Sequence, residues 1–271
     1  MVNFQSNTNY SMEDLLRIME ILRSPKGCPW DREQTHQSIR QNMLEEAYEA
    51  ADAIDHNDMS NLKEELGDVL LQVVFHACMA QEAGAFTFAD VVDGISQKLV
   101  FRHPHVFGSR SAQDSQGALS TWDEQKRQEK GQRTTKEAME SVAHALPALV
   151  RAEKIQSKAQ KAGFDWQDVA PALDKLTEEL FELRQAVEHN TNVSEELGDL
   201  LFAAVKVGRF AGVSGEEALQ RACEKFIRRF GRVEELAQAP LSQMDVPRLE
   251  QLWQQAKDEE RTGQGENTAC N

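Results

Sequence analysis

EELGDVL, residues 64–70, returns with one change as EELGDLL, residues 195–201. Around the first copy apolar residues fall at Leu62, Leu66, Val69, Leu70, Val73 and Val74, in steps of three and four that mark one helical face. Leu197, Leu200, Leu201, Ala204 and Val205 repeat the spacing. Read alone, VLLQVVF (69–75) also fits a buried strand of that length. The flanking NLKEE (61–65) and NVSEE (192–196) favour helix starts, with Asn or Ser ahead of an acid-rich first turn. With few β-branched runs and only 7 prolines, the chain reads as all-α.

The likeness between the halves extends well beyond the heptapeptide. MLEEAYEAADAI (43–54) matches LTEELFELRQAV (176–187), and each follows a Trp, Trp30 or Trp166, in a polar segment containing Gly. Downstream, Lys98 and Arg102 stand opposite Lys225 and Arg229, and TWDEQKRQE (121–129) answers LWQQAKDEE (252–260). Five features in one order predict two tandem helical lobes, residues 12–130 and 142–260. A linker is expected near 130–141, and a disordered tail over 261–271.

Length and charge bound the function. A chain of 271 residues, 40% of them hydrophobic, can bury two cores of ordinary size. The net charge of -15, from 30 basic and 45 acidic residues, disfavours nucleic acid polymers and anionic membranes as partners. The most apolar stretch, VLLQVVFHACMA (69–80), is too short to span a bilayer, and the N-terminus lacks a signal pattern, so a cytoplasmic protein is expected. Cys28, Cys78, Cys223 and Cys270 form no C-x-x-C pair, which suits reduced thiols.

With 45 acids, pairs three residues apart arise by chance roughly seven times. Glu179 with Glu182, and Glu196 with Asp199, differ in having an apolar stripe beside them that turns them toward a partner helix. Glu46, Glu49, Glu65 and Asp68 repeat the arrangement. The separations 65-46 = 19 and 196-179 = 17 leave room for a helix end, a short turn and an antiparallel return. Each quartet then converges on one cleft and repels itself, so some members should hold protons above their usual range unless a cation sits there. Oxygen ligands without His or Cys point to Mg²⁺, with Mn²⁺ as a substitute. A di-iron site would want Glu-x-x-His, which neither quartet contains. His76 is expected to be a packed or surface histidine. Gly67 and Gly198 each cost about 1 kcal/mol of helix propensity, which suggests a close approach by a neighbouring helix or by the shell of a bound ion.

Basic residues flank the second quartet. Lys175 lies one turn before Glu179, and Lys225 and Arg229 share a face, as a polyphosphate would require; salt bridging at the surface is the plainer account of each alone. Trp253 and Lys257 could stack on a base and touch a phosphate, or Trp253 could pack in a core. Asn192, Ser194 and Glu195 occupy a turn that could reach ribose or phosphate, and Arg228 sits one residue off the cationic face. P-loop, Rossmann and nucleophile-elbow signatures are absent.

GCPWDREQT, LEEAYE, RHPHVF, PALVRAEKIQ, AGFDW, EELFE, EELGDLLFA, EKFIRRF and LWQQAK occur in one order across residues 12–260. In this set the chain resembles the MazG family of nucleoside triphosphate pyrophosphohydrolases, of the long, two-lobed bacterial type. The resemblance implies helix pairs that complete bundles by homodimerisation, and Mg²⁺-dependent hydrolysis of NTPs and dNTPs, ATP included, to monophosphate and pyrophosphate. Carried over, the metal ligands are Glu179, Glu182, Glu196 and Asp199, with Glu46, Glu49, Glu65 and Asp68 as a second site. Nucleotide contacts are Lys175, Leu176, Thr177 and Glu178, then Asn192, Val193, Ser194 and Glu195, then Lys225, Arg228, Arg229, Trp253 and Lys257. Asn192 stands where some relatives carry a base. Glu178 and Glu195 are the candidate general bases, beside the catalytic ligand Glu196. A narrower pyrophosphatase acting on dUTP or phosphoribosyl-ATP, or a regulatory protein that binds nucleotides without turnover, are the competing readings.

Overall fold

The computed structural model describes residues 8–108 and 114–267, and every regular element among them is helical. The chain forms two compact units, divided after Lys126. The first contains α1 (Met12–Arg23), α2 (Pro29–Glu33), α3 (Arg40–Asp55), α4 (Met59–Glu82), α5 (Phe88–Arg102) and α6 (Pro104–Phe107). Helix α7 (Ser115–Glu129) crosses the division. The second contains α8 (Thr135–Glu140), α9 (Ala148–Lys161), α10 (Ala170–His189), α11 (Val193–Phe210), α12 (Gly215–Leu236) and α13 (Val246–Asn267). Among the described residues no helix is long and apolar enough to cross a membrane.

In each unit the doubled sequence becomes an antiparallel helix pair: α3 packs on α4, and α10 on α11. The turns between them are short because asparagines take left-handed backbone, Asn57 at φ 54° in the first, Asn190 at 53° and Asn192 at 44° in the second. Helix α4 begins two residues before NLKEE. Its cap is Asp58, whose carboxylate accepts from the Ser60 and Asn61 amides at 3.0 Å, not Asn61 as the sequence suggests. Asn192 does hold the cap position of α11, but its side chain makes no capping bond.

The first unit's core is Met19, Ile39, Val74, Phe75 and Met79, where α1 lies across α4. Arg23 closes its edge, donating to Glu82 at 2.7 Å, and the pairing raises the guanidinium's pKa and lowers the carboxyl's. The second unit has a core of Val233, Leu252 and Ala256 between α12 and α13, with Trp253 half-buried against it. Much of the expected apolar stripe stays outside: Leu66, Leu70, Leu197 and Leu201 are exposed, whereas Val74 and Val205 are buried. A two-helix contact is too narrow to cover the whole stripe.

A Cβ built on Gly67 or Gly198 finds no atom within 4 Å, so among the described residues no neighbouring helix makes the close approach inferred from sequence. The stretch expected to be linker holds α8, which packs on α9 and buries Ala138. Helix α13 continues through Asn267 over most of the expected tail, and 268–271, with Cys270, lie outside the described residues.

Candidate functional site

Two groups of carboxylates form where the helix pairs face each other. In the first unit Glu46, Glu49 and Glu65 each bring one oxygen within 4.8 Å of the others; in the second Glu179, Glu196 and Asp199 do the same. Asp68 and Glu182 lie outside these tightest sets. Their charges still act there: Asp68 helps raise the pKa of Glu46 and Glu65, and Glu182 responds to Glu179. Glu46, Glu65 and Glu182 are all pushed above the ordinary carboxylate range, by loss of solvation first and by neighbouring acids second. Self-repulsion was the sequence-based expectation for both clusters.

The two clusters differ in their counter-charges. Gln72 donates to Glu46 at 3.4 Å. In the second unit the Lys175 ammonium sits 2.8 Å from both Glu178 and Glu179, and these hydrogen bonds raise its pKa. Glu179 is buried, Glu196 half-buried and Asp199 exposed, so the set opens to one side. An all-oxygen donor set, graded from buried to open and already drawing an ammonium onto one member, fits a hard divalent cation such as Mg²⁺.

A cavity of about 520 Å³ adjoins the second set; Glu179, Asp199 and Lys175 form part of its wall. The remainder comes from α9, α11, the turn AGFDW between α9 and α10, Met139 of α8 and Ala172 of α10. Gly163 makes that turn at φ 86°, which a side chain would strain, and it carries Asp165 and Trp166 back toward α11. Asp165 there accepts from Lys206 at 2.5 Å and from Arg209, with all three side chains nearly buried. Burial works to raise the Asp165 pKa, but the hydrogen bonds from Lys206 and Arg209 prevail and lower it. The Lys206 ammonium also lies 5.4 Å from the Trp166 ring centroid.

Other sequence-selected residues lie elsewhere in the second unit. Arg228 and Arg229 of α12 both donate to Glu260 of α13, at 2.5 and 2.6 Å, and Lys225 is exposed on α12. Trp253 packs 5.2 Å from the Phe226 ring and, like Lys257, is not among the residues lining the cavity. Thr177 turns its hydroxyl onto the Leu173 carbonyl at 2.9 Å, Leu176 is half-buried, and Glu195 and Ser194 are exposed in the first turn of α11 after Asn192 and Val193. In the first unit Arg102 and Lys126 both lie over the Trp122 ring, at 5.2 and 4.6 Å. His76 is no ligand of the first cluster: it stacks on His36, with the two Nδ1 atoms 2.8 Å apart. Cys28, Cys78 and Cys223 are free thiols.

Sequence reasoning did not single out Gln156, Lys206 or Phe202 as wall residues. The available signals were AGFDW and PALVRAEKIQ, which give no direction for a side chain until α9 is laid against α11.

The family model described as the MazG nucleotide pyrophosphohydrolase domain matches twice, at residues 34–107 and 167–233, and both matches contain a carboxylate set. The chain is 46% identical over 257 residues to a nucleoside triphosphate pyrophosphohydrolase of Escherichia coli K12, covering 92% of this chain and 98% of that protein. It is 45% identical over 254 residues to a nucleoside triphosphate pyrophosphohydrolase/pyrophosphatase MazG of Thermotoga maritima, covering 92% and 97%. It is also 46% identical over 250 residues to the Bacillus subtilis protein YabN, covering 90% of this chain and 51% of that one.

Proposed function

The chain belongs to the MazG family, and from that premise we propose that it is a nucleoside triphosphate pyrophosphohydrolase whose main reaction centre is the second carboxylate set. The observation that carries the reading is the meeting of Glu179, Glu196 and Asp199 beside a cavity large enough for a nucleoside, with Glu179 and Asp199 in its wall. Both NTPs and dNTPs are its substrates, split between the α- and β-phosphorus to monophosphate and pyrophosphate.

Glu179, Glu196 and Asp199, joined by Glu182, would hold Mg²⁺ or Mn²⁺. When bound, the ion offsets triphosphate charge and acidifies water. Lys175, released from Glu178 and Glu179, turns to a phosphate oxygen. Glu178 thereby becomes free to take a proton from the attacking water, as does the exposed Glu195. Attack at the α-phosphorus breaks its bond to the bridging oxygen, and pyrophosphate leaves. Lys225, Arg228 and Arg229 offer charge to the departing group once they exchange Glu260 for phosphate. Glu46, Glu49 and Glu65, joined by Asp68, would hold a second cation in the first unit. The exposed Leu180, Phe181, Leu197 and Leu201 support a homodimer that covers them. A cytoplasmic location suits a reaction on free nucleotides.

The test measures pyrophosphate release from the common NTPs and dNTPs with Mg²⁺ and with chelator. Glu196→Gln should abolish turnover while the helical circular dichroism signal stays intact. Orthophosphate as the only product, or undiminished turnover in the variant, rejects the assignment.

A further inference from the structure

The cavity beside the second set continues past the acids to a polar atom that neither the fold nor the proposed chemistry uses. Gln156 of α9 is 3% exposed, and its Nε2 donates to the Phe202 carbonyl of α11 at 2.8 Å. A carbonyl oxygen only accepts, so the amide nitrogen must face it and the amide orientation is fixed. Gln156 Oε1 is therefore an acceptor pointing the other way, and it is buried without a hydrogen-bond partner. Such an atom is uncommon in a native structure and calls for a reason. Gln156 also forms part of the cavity wall, together with Trp166, Phe164 and Phe202.

We propose that this cavity seats the nucleobase of the substrate, with the aromatic rings against its face and Gln156 Oε1 accepting from an N–H on its edge. The proposal rests on the pyrophosphohydrolase reading and adds the base subsite to it. Glu179, Asp199 and Lys175 line the cavity, where the phosphates would bind, and Gln156 lines it with Phe164, Trp166 and Phe202, so the lining offers a nucleotide both charged and apolar surface. Because Oε1 is covered as well as unpaired, the lining must yield slightly for a donor to reach it. Phe164, 82% exposed, and Phe202, 44% exposed, are the rings free to do so. Gln156 in this account is a specificity residue: every base that offers an N–H satisfies it, and a base without one leaves the acceptor unmade.

Two matched pairs of nucleotides test this. Purine riboside monophosphate lacks the amino group of adenosine monophosphate, and 3-methyluridine monophosphate lacks the ring N–H of uridine monophosphate. Equilibrium dialysis of the full chain with Mg²⁺ gives Kd for the monophosphates, and pyrophosphate release from the corresponding triphosphates gives kcat and KM. At least one pair should differ by about tenfold or more in Kd and in KM, with kcat little changed. In a folded Gln156→Met variant the same pair should draw to within about twofold. Wild-type protein that treats both pairs alike overturns the proposal without recourse to a variant, and so does a difference that survives Gln156→Met. Discrimination in Kd with no pyrophosphate from any triphosphate supports the subsite and refutes the pyrophosphohydrolase reading; no binding and no turnover refutes both.

Discussion

Asp165→Asn isolates the charge cluster on the cavity wall. Asp165 is 8% exposed and accepts from Lys206 at 2.5 Å, from Arg209 and from the Trp166 amide at 2.9 Å. Lys206 and Arg209 are 13% and 11% exposed, so the cluster holds two cations to one anion even when intact. Asparagine keeps the shape and one acceptor but leaves both cations uncompensated and poorly solvated. Breaking a buried pair by removing one partner costs about 3–5 kcal/mol, and the retained amide contacts place this case near the lower figure, about 3 kcal/mol. Hydrogen exchange followed by mass spectrometry on peptides from α9 and α11 reads the local opening, which should become about a hundredfold faster. The folded pKa of Asp165 lies below its ordinary value, so its stabilisation is complete above the unfolded carboxylate pKa and is lost as pH falls through the folded one. The difference between wild type and variant should therefore hold from pH 7 to about 5 and shrink below about 4. A change in exchange of less than about threefold at neutral pH would refute the claim that these charges are desolvated.

Three further outcomes follow from the fold. Gly67→Ala should stabilise the first unit by about 0.5–1 kcal/mol in urea unfolding, because a Cβ there meets nothing and alanine is the better helix former; destabilisation would show a neighbour at that site. Leu252→Ala, at a side chain only 1% exposed in the α12–α13 core, should cost about 3 kcal/mol by the same assay. Burial pushes the Cys78 thiol up to about 11, so iodoacetamide at about pH 8 should label exposed Cys223 first and Cys78 far more slowly, read by peptide mass.

The helix pairs were legible because their signal is local: acids and apolar residues three and four apart on α4 and α11 need no tertiary information to fall on one face. Both carboxylate sets followed, since the turn length forces the helices back on each other. What failed depended on neighbours. Asn61 resembles a cap, yet Asp58 at the preceding turn reaches the free amides first. Gly67 and Gly198 resemble packing glycines, but among the described residues no helix packs on them. Asp68 and Glu182 have the right periodicity and lie just outside the tightest sets, a difference of side-chain reach that spacing does not encode. Gln156 was invisible for the same reason: its meaning comes from the Phe202 carbonyl, 46 residues away.

The stacked imidazoles of the first unit carry a consequence for acidification. Their planes lie 3° from parallel and their Nδ1 atoms share a single hydrogen, so one ring must donate while the other offers its lone pair. That contact can accommodate one added proton but not two, because a second would set N–H against N–H. Burial and the facing ring both lower the His76 pKa, in the direction of keeping it the neutral member. A proton on each ring would therefore break this contact between the segment after α2 and α4, leaving Ile39 in the core and the bonds from Arg23 to the carbonyls of Asp31 and Gln34 to hold the segment.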